Sequence, residues 1–180
     1  MYYWSSFYLV FASLLTVTYL GCLRKIDNVD NIINAFAAMC YAAIILFPKN
    51  MRHIRYLDWL VTCPLLLVVF LRRANNNTIS YPLLLSTSLM IVSGYLGKDR
   101  VNAWFALGAA FYVATFVMLY RRAQHPKNKN KNKSNNDKKK RKETQILFWL
   151  FAIVWGMYAV GYLLPDMKAR NITYNTLDLI

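Results

Sequence analysis

The sequence predicts an all-α membrane protein, a bundle of seven transmembrane helices of which six are complete in this chain and the seventh is present in its first half. Three observations predict it. Of the 180 residues, 57% are hydrophobic and 17% charged, proportions that suit a membrane domain better than a water-soluble one. The apolar residues gather into runs close to the roughly 20 residues that a helix rising 1.5 Å per residue needs to cross a bilayer. One of those runs, Met51 to Arg72, carries an arginine and an aspartate inside its span. A lone charge at that depth costs about 3 to 15 kcal/mol, so it faces partners and not lipid.

The runs follow in order. Tyr2 to Leu23 begins at once and is of span length, so it reads as a first helix and not as a cleavable leader. Val29 to Phe47 is closed by Pro48, Met51 to Arg72 is third, and Tyr81 to Gly97 is fourth and slightly short. Asn102 to Tyr120 is fifth, and Ile146 to Leu164, closed by Pro165, is sixth. A seventh begins near Ile172 and runs to Ile180. All connections but one are short, so consecutive helices are expected to pack antiparallel in a single domain, residues 1–180.

Charge orients the bundle. The loops after helices one, three and five hold fifteen Lys and Arg residues, eleven of them between Arg121 and Lys142, against six on the opposite side. Basic loops stay in the cytoplasm, which puts the N-terminus outside. The segment 123–143 has almost no apolar residues and is expected to be a disordered cytoplasmic loop that attracts anionic lipid headgroups. The net charge of +14 is thus concentrated in a loop and not spread over a nucleic-acid-binding face, so no nucleic-acid partner is expected. Cys22, Cys40 and Cys63 all fall in apolar spans without metal-like spacing, which argues against a disulfide framework or a zinc site. Asn171-Ile172-Thr173 is a glycosylation sequon on the outer side, and Asn76-Asn77-Thr78 lies inside and is expected to stay bare.

The third helix organises the chemistry. Arg55, Asp58, Trp59, Thr62 and Leu66 fall at i, i+3, i+4, i+7 and i+11, one helical stripe. Asp58 is placed to meet the Arg55 guanidinium one turn away and the Thr62 hydroxyl one turn the other way. Pro64 has no N–H and releases the Leu60 carbonyl into the same stripe. Spacing alone also fits a core helix of a soluble protein, or a structural ion pair. Asp178 is the second acid at membrane depth. Arg55, Asp58 and Asp178 together carry one excess negative charge, which in a low-dielectric interior protonates or finds a cation.

At these residues a family becomes visible. The run RYLDWLVTCPLL, residues 55–66, resembles the third helix of microbial (type 1) rhodopsins, R-Y-x-D-W-x-x-T-T-P-L-L, with Cys63 in place of the second threonine. NITYNTLDLI, residues 171–180, resembles the seventh helix, in which an aspartate precedes the retinal-bearing lysine by one turn. The resemblance implies all-trans retinal on a lysine at the second position beyond Ile180, with this chain truncated just before it. It also implies that Trp155 and Tyr158, matching a W-x-x-Y pair, pack on the polyene with Trp59, Cys63 and Leu66. Met90, Gly94 and Trp104 resemble residues around the ionone ring, Trp104 being the weakest match because it stands near a helix end.

The same resemblance assigns roles. Asp58 is the counterion and proton acceptor, completed by Arg55 and Asp178 and oriented by Thr62. Departures matter as well: Val69 stands where pumps carry a cytoplasmic donor aspartate, and Thr87 where many carry an aspartate, with Cys63 as its expected partner. Ala159 and Tyr162 replace a proline and a tryptophan, and Asp166 is only a loose substitute for the release group. Asp30 is the remaining inner acid available as a donor, although an acid at a helix start is also simply favoured by the dipole. Outward light-driven proton transport is the leading expectation for a non-enzymatic protein embedded in the bilayer, with a homo-oligomer compatible. The alternatives are a light-gated passive cation channel, with Asn31 and Asn34 lining a water path, a photosensor coupled to a partner, and a non-pigmented scaffold or transporter.

Overall fold

The computed structural model describes residues 2–23, 28–74, 80–98, 102–124 and 135–178, and every element within them is a helix. Seven α-helices follow one another: α1 (Tyr2–Leu23), α2 (Asn28–Leu46), α3 (Met51–Arg73), α4 (Tyr81–Leu96), α5 (Ala103–Gln124), α6 (Asn135–Leu163) and α7 (Met167–Leu177). A short 3-10 turn, Pro48–Asn50, leads into α3. Each helix packs on the next, and α7 lies against both α6 and α1, so the ring closes. Helix α3 also reaches α5 across the ring. The chain is therefore the seven-helix membrane bundle that its apolar runs predict.

The distribution of polarity is that of a protein in lipid. Arg55, Asp58, Thr62, Thr87, Thr115, Asn171 and Asn175 are buried, whereas Leu9, Leu46, Leu57, Ile153 and Leu163 are each more than half exposed. Water would drive the opposite arrangement, but acyl chains solvate leucine and cannot satisfy a guanidinium or a carboxylate. Helices α2, α3, α5 and α6 are long and apolar enough to cross a membrane, while α1 and α4 carry shorter apolar stretches, Phe7–Cys22 and Tyr81–Leu96.

Two apolar clusters hold the bundle on either side of its middle. Leu67, Leu71, Leu83, Phe116, Leu119 and Phe148 fill the space among α3, α4, α5 and α6 towards the end that carries Arg73. Phe7, Val10, Tyr41 and Ile44 join α1 to α2 towards the other end. Phe7 and Tyr41 of the second cluster also border the buried Arg55 and Asp178.

Two helix starts differ from expectation, and α5 runs on to Gln124, four residues past the expected Tyr120. Helix α7 starts at Met167, not near Ile172, because the Asp166 carboxylate accepts from the backbone N–H groups of Lys168 and Ala169 at 3.1 and 3.2 Å. That is an N-cap, worth about 1 kcal/mol. Helix α6 starts at Asn135, so residues 135–143 of the segment expected as a loop are helical. Lys, Arg and Glu are good helix formers, and extending an apolar helix avoids the cost of nucleating one. Residues 125–134, together with Arg24, Lys25, Asn76, Asn77 and Thr78, lie outside the described residues. Pro64 sits inside α3, which runs on through it.

Candidate functional site

The site is built outward from α3, whose periodicity turns Arg55, Asp58 and Thr62 into the bundle; Arg55 is 4% and Asp58 5% exposed. Their bonding is not the one the stripe suggests. Arg55 donates from Nη1 to Asn171 Oδ1 at 2.6 Å and from Nη2 to Asn175 Oδ1 at 2.5 Å. Its cation also lies over the rings of Phe7 at 5.4 Å and Tyr174 at 5.5 Å. No Arg55–Asp58 ion pair forms among the described residues. The reason is geometric: a guanidinium is a rigid fork, and Asn171 and Asn175, one turn apart on α7, offer it two acceptors on one face.

Thr62 departs from expectation too. Its hydroxyl donates to the backbone carbonyl of Asp58 at 2.8 Å, and not to the carboxylate, the usual back-bond of a threonine inside a helix. Asp58 Oδ1 is left buried without a hydrogen-bond partner, and so is Trp59 Nε1 on the adjacent residue.

Asp178, at the C-terminal end of α7, is treated in the opposite way. The Tyr41 hydroxyl from α2 donates to its Oδ2 and the Tyr158 hydroxyl from α6 to its Oδ1. Tyr41 also reaches Asn175 Oδ1 at 3.3 Å. The two acids are thus sharply unlike: one carboxylate is held by two phenols, and the other presents a bare oxygen.

Aromatic rings wall this layer. Trp59 meets Tyr56, Tyr158 and Tyr174 edge-on, with centroids 5.2, 5.2 and 5.3 Å away, and Tyr158 stacks on Tyr174 at 5.7 Å. Trp155, one turn from Tyr158, belongs instead to the next layer, against Phe116 at 5.8 Å and Phe151 at 4.6 Å. Cys63, Leu66, Met90 and Gly94 are partly buried, as are Trp59, Trp155 and Tyr158. Gly94 backs onto Tyr56, whose ring a Cβ at that position would meet at 3.3 Å. Trp104 is not brought in: it is 43% exposed in the first turn of α5, where its N–H is capped by Asn102 Oδ1 at 3.0 Å.

Other expectations are relocated. Asp30, in the first turn of α2, pairs with Arg73 Nη2 at 3.3 Å near the surface. The Thr87 hydroxyl donates to the Leu83 carbonyl at 2.9 Å, and not to Cys63. Asp166 is engaged as the α7 cap. The Asn171 sequon cannot act as a glycan acceptor in the folded chain, because Asn171 is helical, 5% exposed and bonded to Arg55.

Sequence reasoning missed Tyr41, Asn171, Asn175 and Tyr174. A signal existed for Tyr41, since a phenol in the middle of an apolar helix needs a partner. Asn171 and Asn175 also had one, the i, i+4 pair of amides on a membrane helix. Phe7 gave none.

Residues 1–180 all match the family described as bacteriorhodopsin-like protein. The chain is 30% identical over 140 residues to the opsin-like protein carO of Fusarium fujikuroi, an overlap covering 73% of this chain and 45% of that one. It is 26% identical over 136 residues to sensory rhodopsin-2 of Haloarcula vallismortis, covering 71% of this chain and 57% of the relative. The chain thus spans about half the length of the curated relatives it matches. Among solved structures it superposes on the viral rhodopsin OLPVRII with a TM-score of 0.74 at 26% identity, covering 99% of this chain and 91% of that one. The light-driven proton pump LR (Mac) from Leptosphaeria maculans has a TM-score of 0.79 at 17% identity, covering 97% and 88%, a likeness of fold alone.

Proposed function

This chain belongs to the bacteriorhodopsin-like family, and on that premise we propose that it binds all-trans retinal and moves protons outward under light, with Asp58 as proton acceptor. One observation carries the reading: of the two buried acids, Asp178 is occupied by Tyr41 and Tyr158, while Asp58 Oδ1 is buried with no donor. A bare carboxylate oxygen in lipid is unstable alone and asks for a cation or a proton.

The residues present fit the pigment. The orphaned Asp58 Oδ1 suits a cationic partner, and Trp59, Tyr158, Trp155, Cys63, Leu66, Met90 and Gly94 are the side chains that would wall the polyene. When bound through a lysine, retinal supplies light absorption and a positively charged, proton-bearing nitrogen. Asp58 balances that charge at rest and accepts a proton at Oδ1. Asp178, fixed by two phenols, keeps a second negative charge in place. Arg55, tied to α7, holds a positive charge on the side facing the α6–α7 turn, where a proton leaving Asp58 would emerge. The N-terminus is outside and the basic loop cytoplasmic, as the imbalance of Lys and Arg supports.

The inner half favours slow recovery. The apolar cluster of Leu67, Leu71 and Phe116 lies between the Arg73 end and Asp58, and Val69 is apolar in the same stretch of α3, which leaves Asp30 as the acid available to return a proton. An inner half packed by that apolar cluster also supports a second reading, a photosensor whose long-lived state a partner detects. It argues against a channel lined by Asn31 and Asn34.

The test is direct. Expressed in its natural reading frame with all-trans retinal, the protein should show a visible band that hydroxylamine removes in light. Illuminated cells should acidify their medium at zero voltage, and Asp58→Asn should lower that signal about a hundredfold, the scale of a lost acid–base group. A missing band sinks the pigment, and full acidification by Asp58→Asn sinks the acceptor. A band without acidification favours the sensor.

A further inference from the structure

A second feature of α3 and α4 faces lipid and lies outside the counterion layer. On α3, His53, Leu57 and Leu60 share a stripe at i, i+4 and i+7; on α4, Ile91, Val92 and Tyr95 share another. The two stripes line a furrow of about 200 Å³ with Tyr56 in its floor. It runs roughly 10 Å along the helices, seven residues at 1.5 Å each. Leu57 is 54% and Val92 38% exposed, so the furrow is open to the bilayer.

Its two ends differ. The far end is aliphatic. The near end is polar and positive: His53 Nδ1 and the Tyr95 hydroxyl are hydrogen-bonded at 2.8 Å, and Arg52 lies over the Tyr95 ring at 4.8 Å while donating to the Tyr95 carbonyl. Lys49 and Lys98 are exposed at the same end. Among the described residues no acid lies in the 3-10 turn, in the first turn of α3 or in α4; Asp99 and Arg100, of opposite charge, follow Lys98 outside them. An aliphatic slot under a basic rim is the shape and charge of an amphiphile with an anionic head. We propose that the α3–α4 furrow is a binding site for an anionic phospholipid, the phosphate at Lys49 and Lys98 and an acyl chain between Leu57, Leu60, Ile91 and Val92. Charge complementarity selects the occupant, since an anionic head brings net negative charge to the rim and a zwitterionic head offsets its phosphate with its own cation.

Native mass spectrometry of the full chain from detergent tests it, with phosphatidylglycerol and phosphatidylcholine added in parallel. Phosphatidylglycerol should be retained preferentially. Lys49→Gln and Lys98→Gln should each weaken its retention about fivefold, the effect of one basic residue near an anionic surface. Val92→Trp, filling the slot from the lipid side, should remove the adduct with the helical circular dichroism unchanged, and Leu57→Trp on the facing wall should do the same independently. Equal retention of the two lipids, adducts indifferent to both tryptophans, or glycerol phosphate bound as well as the whole lipid would each overturn the proposal. So would a dimer that the tryptophan variants dissolve, for the furrow would then seat a second copy.

Discussion

The Arg55 guanidinium is bonded to the side chain of Asn175 at 2.5 Å, a contact between the third and seventh helices that passes over the aspartate one turn away on its own helix. Arg55 is thereby the polar link through which α3 grips α7, beside the Trp59–Tyr174 ring contact, and Asp58 is left with one oxygen unengaged.

Removing that grip should be felt as stability. Asn175→Leu takes one acceptor from a buried cation, and a hydrogen bond to a charged group is worth about 1.5 to 3 kcal/mol. Asn171→Leu removes the other, and the double variant, left with the rings of Phe7 and Tyr174, should fall below either single. SDS or thermal unfolding of the purified protein reads this, and single variants within about 0.5 kcal/mol of the parent would remove Arg55 from its place as the link.

Tyr41 and Tyr158 share one carboxylate, so their contributions should not add. Tyr41→Phe and Tyr158→Phe each leave Asp178 short of a donor, for about 1 to 3 kcal/mol apiece. The double-mutant cycle should give a coupling above about 0.5 kcal/mol. Strict additivity in the same unfolding assay would mean that the two phenols do not act on the same group.

At Gly161, α6 lies close against Tyr174 and Thr173 of α7. A Cβ there would stand 2.7 Å from Cε1 of Tyr174, and Tyr174 is itself hemmed in by Trp59 and Tyr158. Gly161→Ala should therefore destabilise by about 1 to 3 kcal/mol from overpacking, outweighing the roughly 0.5 to 1 kcal/mol that alanine adds to a helix. Gly156→Ala, which meets only the Tyr112 hydroxyl at 3.2 Å, should be nearly neutral. Equal effects at the two glycines would contradict the packing described.

Asp30 separates structure from mechanism. Its pair with Arg73 has side chains 67% exposed on the arginine and 23% on the aspartate, so Asp30→Asn should change stability by less than about 1 kcal/mol. As the inner proton source it should nonetheless slow recovery of the visible band after a flash, and Val69→Asp should speed it. Recovery that ignores both substitutions takes the inner acid out of the proposal.

What the sequence determined by itself was everything local to one helix. Seven spans, five of them starting within a residue of where they were read, follow from apolar length, and the inward stripe of α3 follows from a 3.6-residue period, because both depend only on neighbours along the chain. Even the early start of α7 was legible afterwards in the Pro165-Asp166 pair. Partner choice was not local. Whether Arg55 turned to Asp58 or to α7 depended on Asn171 and Asn175 arriving opposite it when the ring closed, and whether Asp178 was satisfied depended on Tyr41 reaching over from α2. Spacing reports which residues share a face; only tertiary packing decides what that face meets, since in lipid each buried polar group takes the nearest available partner and that distance is set by all seven helices together.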